Sequence, residues 1–495
     1  MKMRQVIVWA FVGAVITAAS IVLDTASVAA QDSGDLVCRL GVNVFHQRPA
    51  SFDLPALRAG WYVDGWAWTT ATRPNGIEYV LTVQVEPDNA GSYKFLPEEA
   101  YLATALAAHP GASWIIGNEP DRRHYQNDML PELYATAYHD LYAWIKERDA
   151  SALVFAGAIV QPSPLRLEYL DRMLAAYQAQ YGEPLPVDGW AIHNHILNER
   201  SCEYYQDSNI CWGADIPPGI DAIDGMVIDQ SQHGDMAIFE EQVRRFRTWM
   251  AGNGYRSLPL YVSEYGILLP ERNGFPPSTV IAFMDASFEF LLSATDADTG
   301  FEADDNRLVQ RSAWYAALSR PPFNGSLFAS TSLTDSMAPP FAITDLGATY
   351  QAYASNLTTT SDVALLSFGV TPALVPSASA PVTLTLTVTV ANRGHGLAAV
   401  PVTVDFYAGG EPGQGGELIA SETVALAGCG DARALAVAWP LLTPDRFAGG
   451  TIAAVERAAD GGGAVSDRAE ALFLFVAHEL YLPAVSGSPP STIRR

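Results

Sequence analysis

The sequence has little positive charge. Against 54 Asp and Glu stand only 29 Lys and Arg, a formal net charge of −25, and no basic cluster interrupts the deficit. Such a chain repels phosphate backbones and anionic membranes, which argues against a nucleic-acid partner. A Gly-rich phosphate loop is missing, and so is any zinc-binding spacing. Charged residues amount to 17% and apolar residues to 49%. That balance excludes disorder over most of the length and lets a sizeable core form.

Long apolar runs are also lacking, with one exception. "VIVWAFVGAVITAAS" follows the positive "MKMR", and "SVAAQD" supplies small residues before a cut after Ala30. This is the pattern of a secretory signal peptide over residues 1–30. An uncleaved anchor helix is the competing reading, because the apolar run extends to Leu23. No second segment is long enough to cross a bilayer, so the exported chain is expected to be soluble, extracellular and monomeric. Cysteine is scarce, with four in 495 residues. Cys202 and Cys211 bracket the polar loop "CEYYQDSNIC", which a disulfide can close in an oxidising compartment. Cys38 and Cys429 either staple two domains or stay free, and spacing does not choose between these.

Between residues 38 and 355 short apolar runs alternate with amphipathic stretches. Eight runs read as strands: 39–45, 59–66, 78–85, 113–119, 152–159, 187–195, 258–266 and 324–330. Helical segments lie between them, such as "PEEAYLATALAAH" (97–109) and "PELYATAYHDLYAWIKERD" (131–149), with Pro and acids early as helix starts have. The stretch 236–254 has helical spacing and ends in Gly, and 304–318 reads as the helix before strand eight. The fold class is therefore α/β, a (β/α)₈ barrel over 38–355. A doubly wound sheet would favour a Gly-rich first turn, which "FHQRPASFD" is not. After a linker within 356–380, strict alternation ("TLTLTVTV") and Gly-rich turns indicate an all-β sandwich over 361–482. Residues 483–495 read as a flexible tail.

Two of the barrel strands end in a carboxylate, an ionised group that a buried strand excludes unless it is paired. "WIIGNEPD" ends strand four at Asn118 and Glu119, and "LPLYVSEYG" ends strand seven at Glu264. Side chains at the C-terminal ends of barrel strands converge on the mouth. Two carboxylates about 5–5.5 Å apart suit a retaining glycosidase, and roughly 6.5–9.5 Å an inverting one. A nearby carboxylate would raise the pKa of the partner that serves as acid. The alternative for Glu119 is a salt bridge to Arg122 or Arg123.

"WAIHNHI" sets His193 and His195 on one face of strand six with Asn194 opposite, so that His193 can donate to Glu264. Two His at i and i+2 can also ligate zinc, but no third ligand at suitable spacing is evident, and a core histidine is the plainer reading. No metal or organic cofactor is expected. Aromatic faces suit stacking on sugar rings. Phe45 and His46 end strand one, Trp61, Tyr62, Trp66 and Trp68 surround strand two, and Trp212 and Tyr265 follow the cysteine loop and Glu264. Many of these belong to the core, and Trp66 and Trp212, past strand ends, fit substrate best. Arg307 and Arg311 read as loop anchors. Glu199, Glu203, Asp207 and Asp215 of loop six either bind sugar hydroxyls or form a solvated face.

The pair "GNEPD" and "VSEYG" resembles the signature of clan A glycoside hydrolases. The resemblance covers 38–355 and implies Glu119 as acid/base, Glu264 as nucleophile, Asn118 on the sugar 2-hydroxyl, and retention of configuration. "NEPD", "GWYVDGW" and a strand-six His are similar to the family 128 β-1,3-glucanases. The chain departs from them in Asp64-Gly65 before Trp66 and in His-Asn-His on strand six, and it has Phe328 where many clan members carry Trp. The C-terminal stretch is similar to cell-adhesion-type bacterial Ig-like modules. The function implied is a secreted glycosidase acting on β-linked polysaccharide or oligosaccharide. The alternatives are a carbohydrate-binding barrel without turnover and a surface adhesion protein.

Overall fold

The computed structural model describes residues 36–45, 47–70, 77–88, 90–357, 363–372, 374–376, 382–392, 400–408, 415–426, 428–429, 431–441, 450–457 and 465–476. The signal-peptide segment 1–30, His46 and the tail 483–495 lie outside the described residues.

Eight parallel strands close into a barrel: β1 (Leu40–Asn43), β2 (Trp61–Val63), β3 (Glu78–Pro87), β4 (Ser113–Ile116), β5 (Leu153–Ile159), β6 (Gly189–His193), β7 (Leu260–Tyr265) and β8 (Arg311–Tyr315). Closure comes from β8 pairing with β1, with Leu40 opposite Ser312 and Asn43 opposite Tyr315. Period-two alternation divides the strand residues. Trp61, Val63, Val80, Ile115, Phe155, Ala191, Tyr261 and Ala313 fill the barrel axis, while Val42, Leu81, Ile116, Val154, Ile192 and Val262 face the helix layer.

The helices follow from the sequence in the same way. Pro131–Arg148 has Pro at its first turn and buries Tyr134, Tyr138, Leu141 and Ile145 on one stripe. Pro164–Tyr181 is capped by the Ser163 side chain, which accepts from Arg166 N, and stops at Gly182, whose φ of +77° favours glycine.

Strand eight corrects the sequence reading. The stretch 304–318, expected to be a helix, contains β8, whereas Phe328–Ser330 pairs antiparallel with Phe341–Ile343 in a small separate sheet. The Arg that opens β8 disguised it. Arg311 is 6% exposed, ion-paired with Glu78 at 2.5 Å, and lies over the Trp61 and Tyr261 rings inside the barrel. Its charge is tolerated because it is paired.

The C-terminal region holds two sheets. One runs Val363–Thr371, Val382–Asn392, Asp431–Leu441; the other runs Leu374–Pro376, Val465–Val476, Gly450–Arg457, Val400–Ala408, Glu417–Leu426. Leu384, Leu386 and Val388 of the first share a core with Val402, Val404 and Phe406 of the second. This arrangement is consistent with an Ig-like sandwich. Both cysteine pairs are joined: Cys202–Cys211 with Cα atoms 4.9 Å apart and Cys38–Cys429 at 5.2 Å. Among the described residues no helix is long and apolar enough to cross a membrane.

Candidate active site

The ends of β4, β6 and β7 build the site, and local backbone irregularities aim their side chains. Pairing registers shift between Gly157 and Ile159, between Ile192 and His193, and between Val262 and Tyr265. Such bulges bend a strand and redirect the residue beyond them. Past β4 the chain turns through Gly117 at φ +87° and Glu119 at φ +46°. The second of these is a strained value for a residue with a Cβ. Surrounding bonds hold it there: Glu119 N donates to Ala158 O at 2.9 Å, and Asn118 N to Asn127 Oδ1 at 2.6 Å. Two residues on, the buried Asp121 accepts from Arg166 Nη1 at 2.6 Å, and Arg166 Nε donates to Glu199 at 2.7 Å. Glu199 is thus neither a sugar ligand nor part of a solvated face, because it is buried on Arg166, Ser163, Gln161 and Met226 N.

Four side chains converge. One oxygen or ring nitrogen from each of Glu119, His193, His195 and Glu264 lies within 4.8 Å of the others. His193 bridges the carboxylates, with Nδ1 3.0 Å from Glu119 Oε1 and Nε2 3.8 Å from Glu264 Oε2. The bond to Glu264, expected from His193, is made by His195 Nε2 at 3.1 Å. Asn194 turns the other way, donating to Phe239 O at 3.1 Å. Three further residues enter unforeseen as site members. Arg122 Nη1 donates to Glu119 Oε2 at 2.9 Å and its Nη2 to Gly213 O at 3.2 Å. Asn43 Nδ2, at the end of β1, donates to Glu264 Oε2 at 3.3 Å. Tyr315 ends β8 near both carboxylates, whose charges, after burial itself, raise its hydroxyl pKa.

The electrostatics depart from the expectation for Glu119. Burial would raise its pKa, but the Arg122 guanidinium, followed by the hydrogen bond and charge of His193, holds it below the ordinary carboxylate range. The partner considered as the structural alternative is therefore present beside the converging carboxylate. His193 moves the opposite way. Burial lowers an imidazole pKa, yet the Glu264 charge and the bond to Glu119 outweigh burial and raise it. The site thus sets two acidic side chains against a guanidinium and an imidazole whose pKa is raised. Four potential metal ligands within reach invite comparison with a cation site. The chemistry fits poorly: both His193 nitrogens face carboxylates, Arg122 already compensates Glu119, and His195 Nδ1 has no acceptor of the kind a ligating histidine uses.

The remaining sequence candidates divide. Asn118 lines a small cavity in the mouth together with Asn43, Asp64, Thr82, His193 and Ser263, and its Nδ2 donates to Gln126 Oε1 at 3.1 Å. Phe45 lies against Gly65, where a Cβ would sit 2.1 Å from its ring. Trp66 is half-buried beside Trp68, ring centroids 6.2 Å apart. Trp212 is half-buried against Val160, Leu197 and Ala214, beside the Cys202–Cys211 loop. Tyr265 is turned from the mouth: it is fully buried and packs on Phe239 and Trp314. Trp61 likewise belongs to the barrel core. Phe328 packs on Phe52 rather than ending strand eight.

No family model matches the chain, and no curated protein does. Solved structures are similar to it. One is a family 128 (subgroup I) endo-β-1,3-glucanase from Amycolatopsis mediterranei in complex with laminaritriose, at 17% identity over 64% of this chain and 99% of that one, with a TM-score of 0.39. Another is a β-1,3-glucanase and allergen of Cryptomeria japonica pollen, at 12% identity over 59% and 95%, TM-score 0.36. A CARDB domain from Pyrococcus furiosus is similar at 18% identity over 24% of this chain and 89% of that one, TM-score 0.18.

Proposed function

We propose that the chain is a secreted retaining glycoside hydrolase that cleaves β-linked polysaccharide or oligosaccharide, with Glu264 as nucleophile and Glu119 as acid/base. The observation that carries this reading is the approach of Glu119 and Glu264 from opposite sides of the mouth, with oxygens within 4.8 Å. That spacing is short of the roughly 6.5–9.5 Å of inverting enzymes and suits double displacement.

In the first step Glu264 attacks the anomeric carbon. The bond to the leaving oxygen breaks, its electron pair goes to that oxygen, and Glu119 supplies the proton. Glu119 is ionised at rest, so the proton must first reach it. His193 Nδ1, 3.0 Å from Oε1, is the donor in place. In the second step Glu119 takes a proton from water, which attacks the glycosyl ester and releases Glu264. Asn43 and His195 hold Glu264 with one oxygen each, and Asn118 is assigned to the sugar 2-hydroxyl.

A second reading has its own support. Arg122 occupies Glu119, a feature that suits a barrel which binds carbohydrate without turning it over. Hydrolysis of β-glucans and aryl β-glycosides separates the two. The glycosidase reading expects activity in the wild type that falls at least a thousandfold in both Glu119→Gln and Glu264→Gln, with the β-anomer formed first in proton NMR. A wild type that binds a glucan but hydrolyses none, with affinity kept in both variants, would establish the binding protein.

A further inference from the structure

Asp64 belongs to neither reading so far. It follows β2, and it is 3% exposed. Its Oδ1 accepts from Trp66 N at 2.7 Å and from the Tyr79 hydroxyl at 3.3 Å, while Oδ2 is buried without a partner in the protein. Asn43 repeats the pattern on the neighbouring strand, where it pairs with Val63. Its Nδ2 donates to Glu264 Oε2 and Ser263 O, two acceptors that fix the orientation of the amide, and Oδ1 is left buried and unpartnered at 4% exposure. Both residues line the same cavity of about 10 Å3, with Thr82, Asn118 and His193. That is the room one hydroxyl group or one water needs.

We propose that Asn43 Oδ1 and Asp64 Oδ2 form a socket for a single hydroxyl of the sugar bound over Glu119 and Glu264, making Asp64 a specificity-determining residue. The proposal rests on the carbohydrate reading above. A hydroxyl is both donor and acceptor, so it can donate to Asn43 Oδ1 while accepting from a protonated Asp64. Burial supplies that protonation, pushing the Asp64 pKa up to about 8 against the opposing bonds from Trp66, Tyr79 and Trp68. The titratable group facing it directly is Tyr79, whose own pKa burial and Asp64 raise; Trp68 closes the same side and His193 the far wall of the cavity. A site built to pair a hydroxyl rejects analogues that lack it, because its buried polar atoms are then left unpaired.

The test uses the full chain carrying Glu119→Gln, which should bind without turnover and keeps the Asn43–Glu264 contact, and calorimetry with β-1,3-glucohexaose, β-1,4-glucohexaose and β-1,4-mannohexaose at pH 6 and pH 9. Adding Asp64→Leu should weaken the tightest of these by about 10–100-fold at pH 6. The Glu119→Gln parent should lose affinity between pH 6 and pH 9. Adding Asp64→Asn, whose amide donates at every pH, should remove the share of that loss due to Asp64, and this holds even if the Leu variant fails to fold. Equal affinities and equal pH profiles in the parent and in the folded variants would reduce Asp64 to a packing residue and the cavity to a buried-water site, with the carbohydrate reading intact. If no hexaose binds the parent and the wild type hydrolyses none, the socket and that reading fail together.

Discussion

Replacing Asp64 by Asn should stabilise the protein, by an amount that depends on pH in a defined direction. The carboxyl has an ordinary pKa of 3.8 and is pushed up to about 8 in the folded chain by burial. An acid whose folded-state pKa is raised favours the fold fully below its unfolded pKa. That contribution is lost as pH rises toward the folded value. At pH 7 the gap from 3.8 is about three pH units, or roughly 4 kcal/mol; at pH 4.5 it is about 1 kcal/mol, and above pH 8 it levels off near 6 kcal/mol. Asn reproduces the neutral acid: its carbonyl oxygen can keep the bonds from Trp66 N and Tyr79, and its amide hydrogens replace the acid proton. The stability gained by Asp64→Asn should therefore be small at pH 4.5 and grow to several degrees in the barrel Tm at pH 8, at roughly 2 °C per kcal/mol. Differential scanning calorimetry of both proteins at these two pH values reads the difference directly. A gap in Tm that is the same at both would refute the reasoning, because it would mean that Asp64 is ionised in the fold at both.

Arg122→Met should let the Glu119 pKa rise and move the basic limb of the kcat/KM profile on an aryl β-glycoside to higher pH; a limb that stays in place would show that the guanidinium does not govern Glu119. His193→Gln removes the proton donor of Glu119 and should lower kcat about a hundredfold with a much smaller change in KM, whereas equal effects on both would point to lost folding or binding. Arg166→Met leaves Asp121 and Glu199 buried without their shared partner, so the denaturation midpoint should fall by the equivalent of about 3–5 kcal/mol.

The site was legible where it broke a local rule. An apolar run that ends in a carboxylate is anomalous, and both "WIIGNEPD" and "LPLYVSEYG" announced themselves in that way. Asn43 sends a weaker form of the same signal at the end of β1, and an amide is too common near strand ends to stand out. Arg122 was visible only as a possible partner of Glu119, since its hold on Gly213 comes from a loop nearly a hundred residues away. Strand eight was hidden because its first residue is an Arg, and only the Glu78 carboxylate, distant in sequence, makes a buried Arg311 sensible. The positive φ of Glu119 has no sequence signature at all, because neighbouring strands impose it through Ala158 and Asn127. The exchange of roles between His193 and His195 depends on the register shift at the end of β6, a displacement of one residue that alternation cannot foretell. Pairing of Cys38 with Cys429 likewise required the fold.

That pairing has a mechanical consequence. Cys38 precedes β1, so it stands at the end of the barrel opposite the mouth, and the helix Asp345–Asn356, which leads toward the C-terminal sheets, runs back to the same end. The C-terminal region is thus moored twice to one pole, once through the main chain and once through sulfur. A pull on it is shared by two tethers near the axis, away from the loops around Glu119 and Glu264. A protease that cuts the connecting segment would leave the two parts in one covalent piece until the disulfide is reduced.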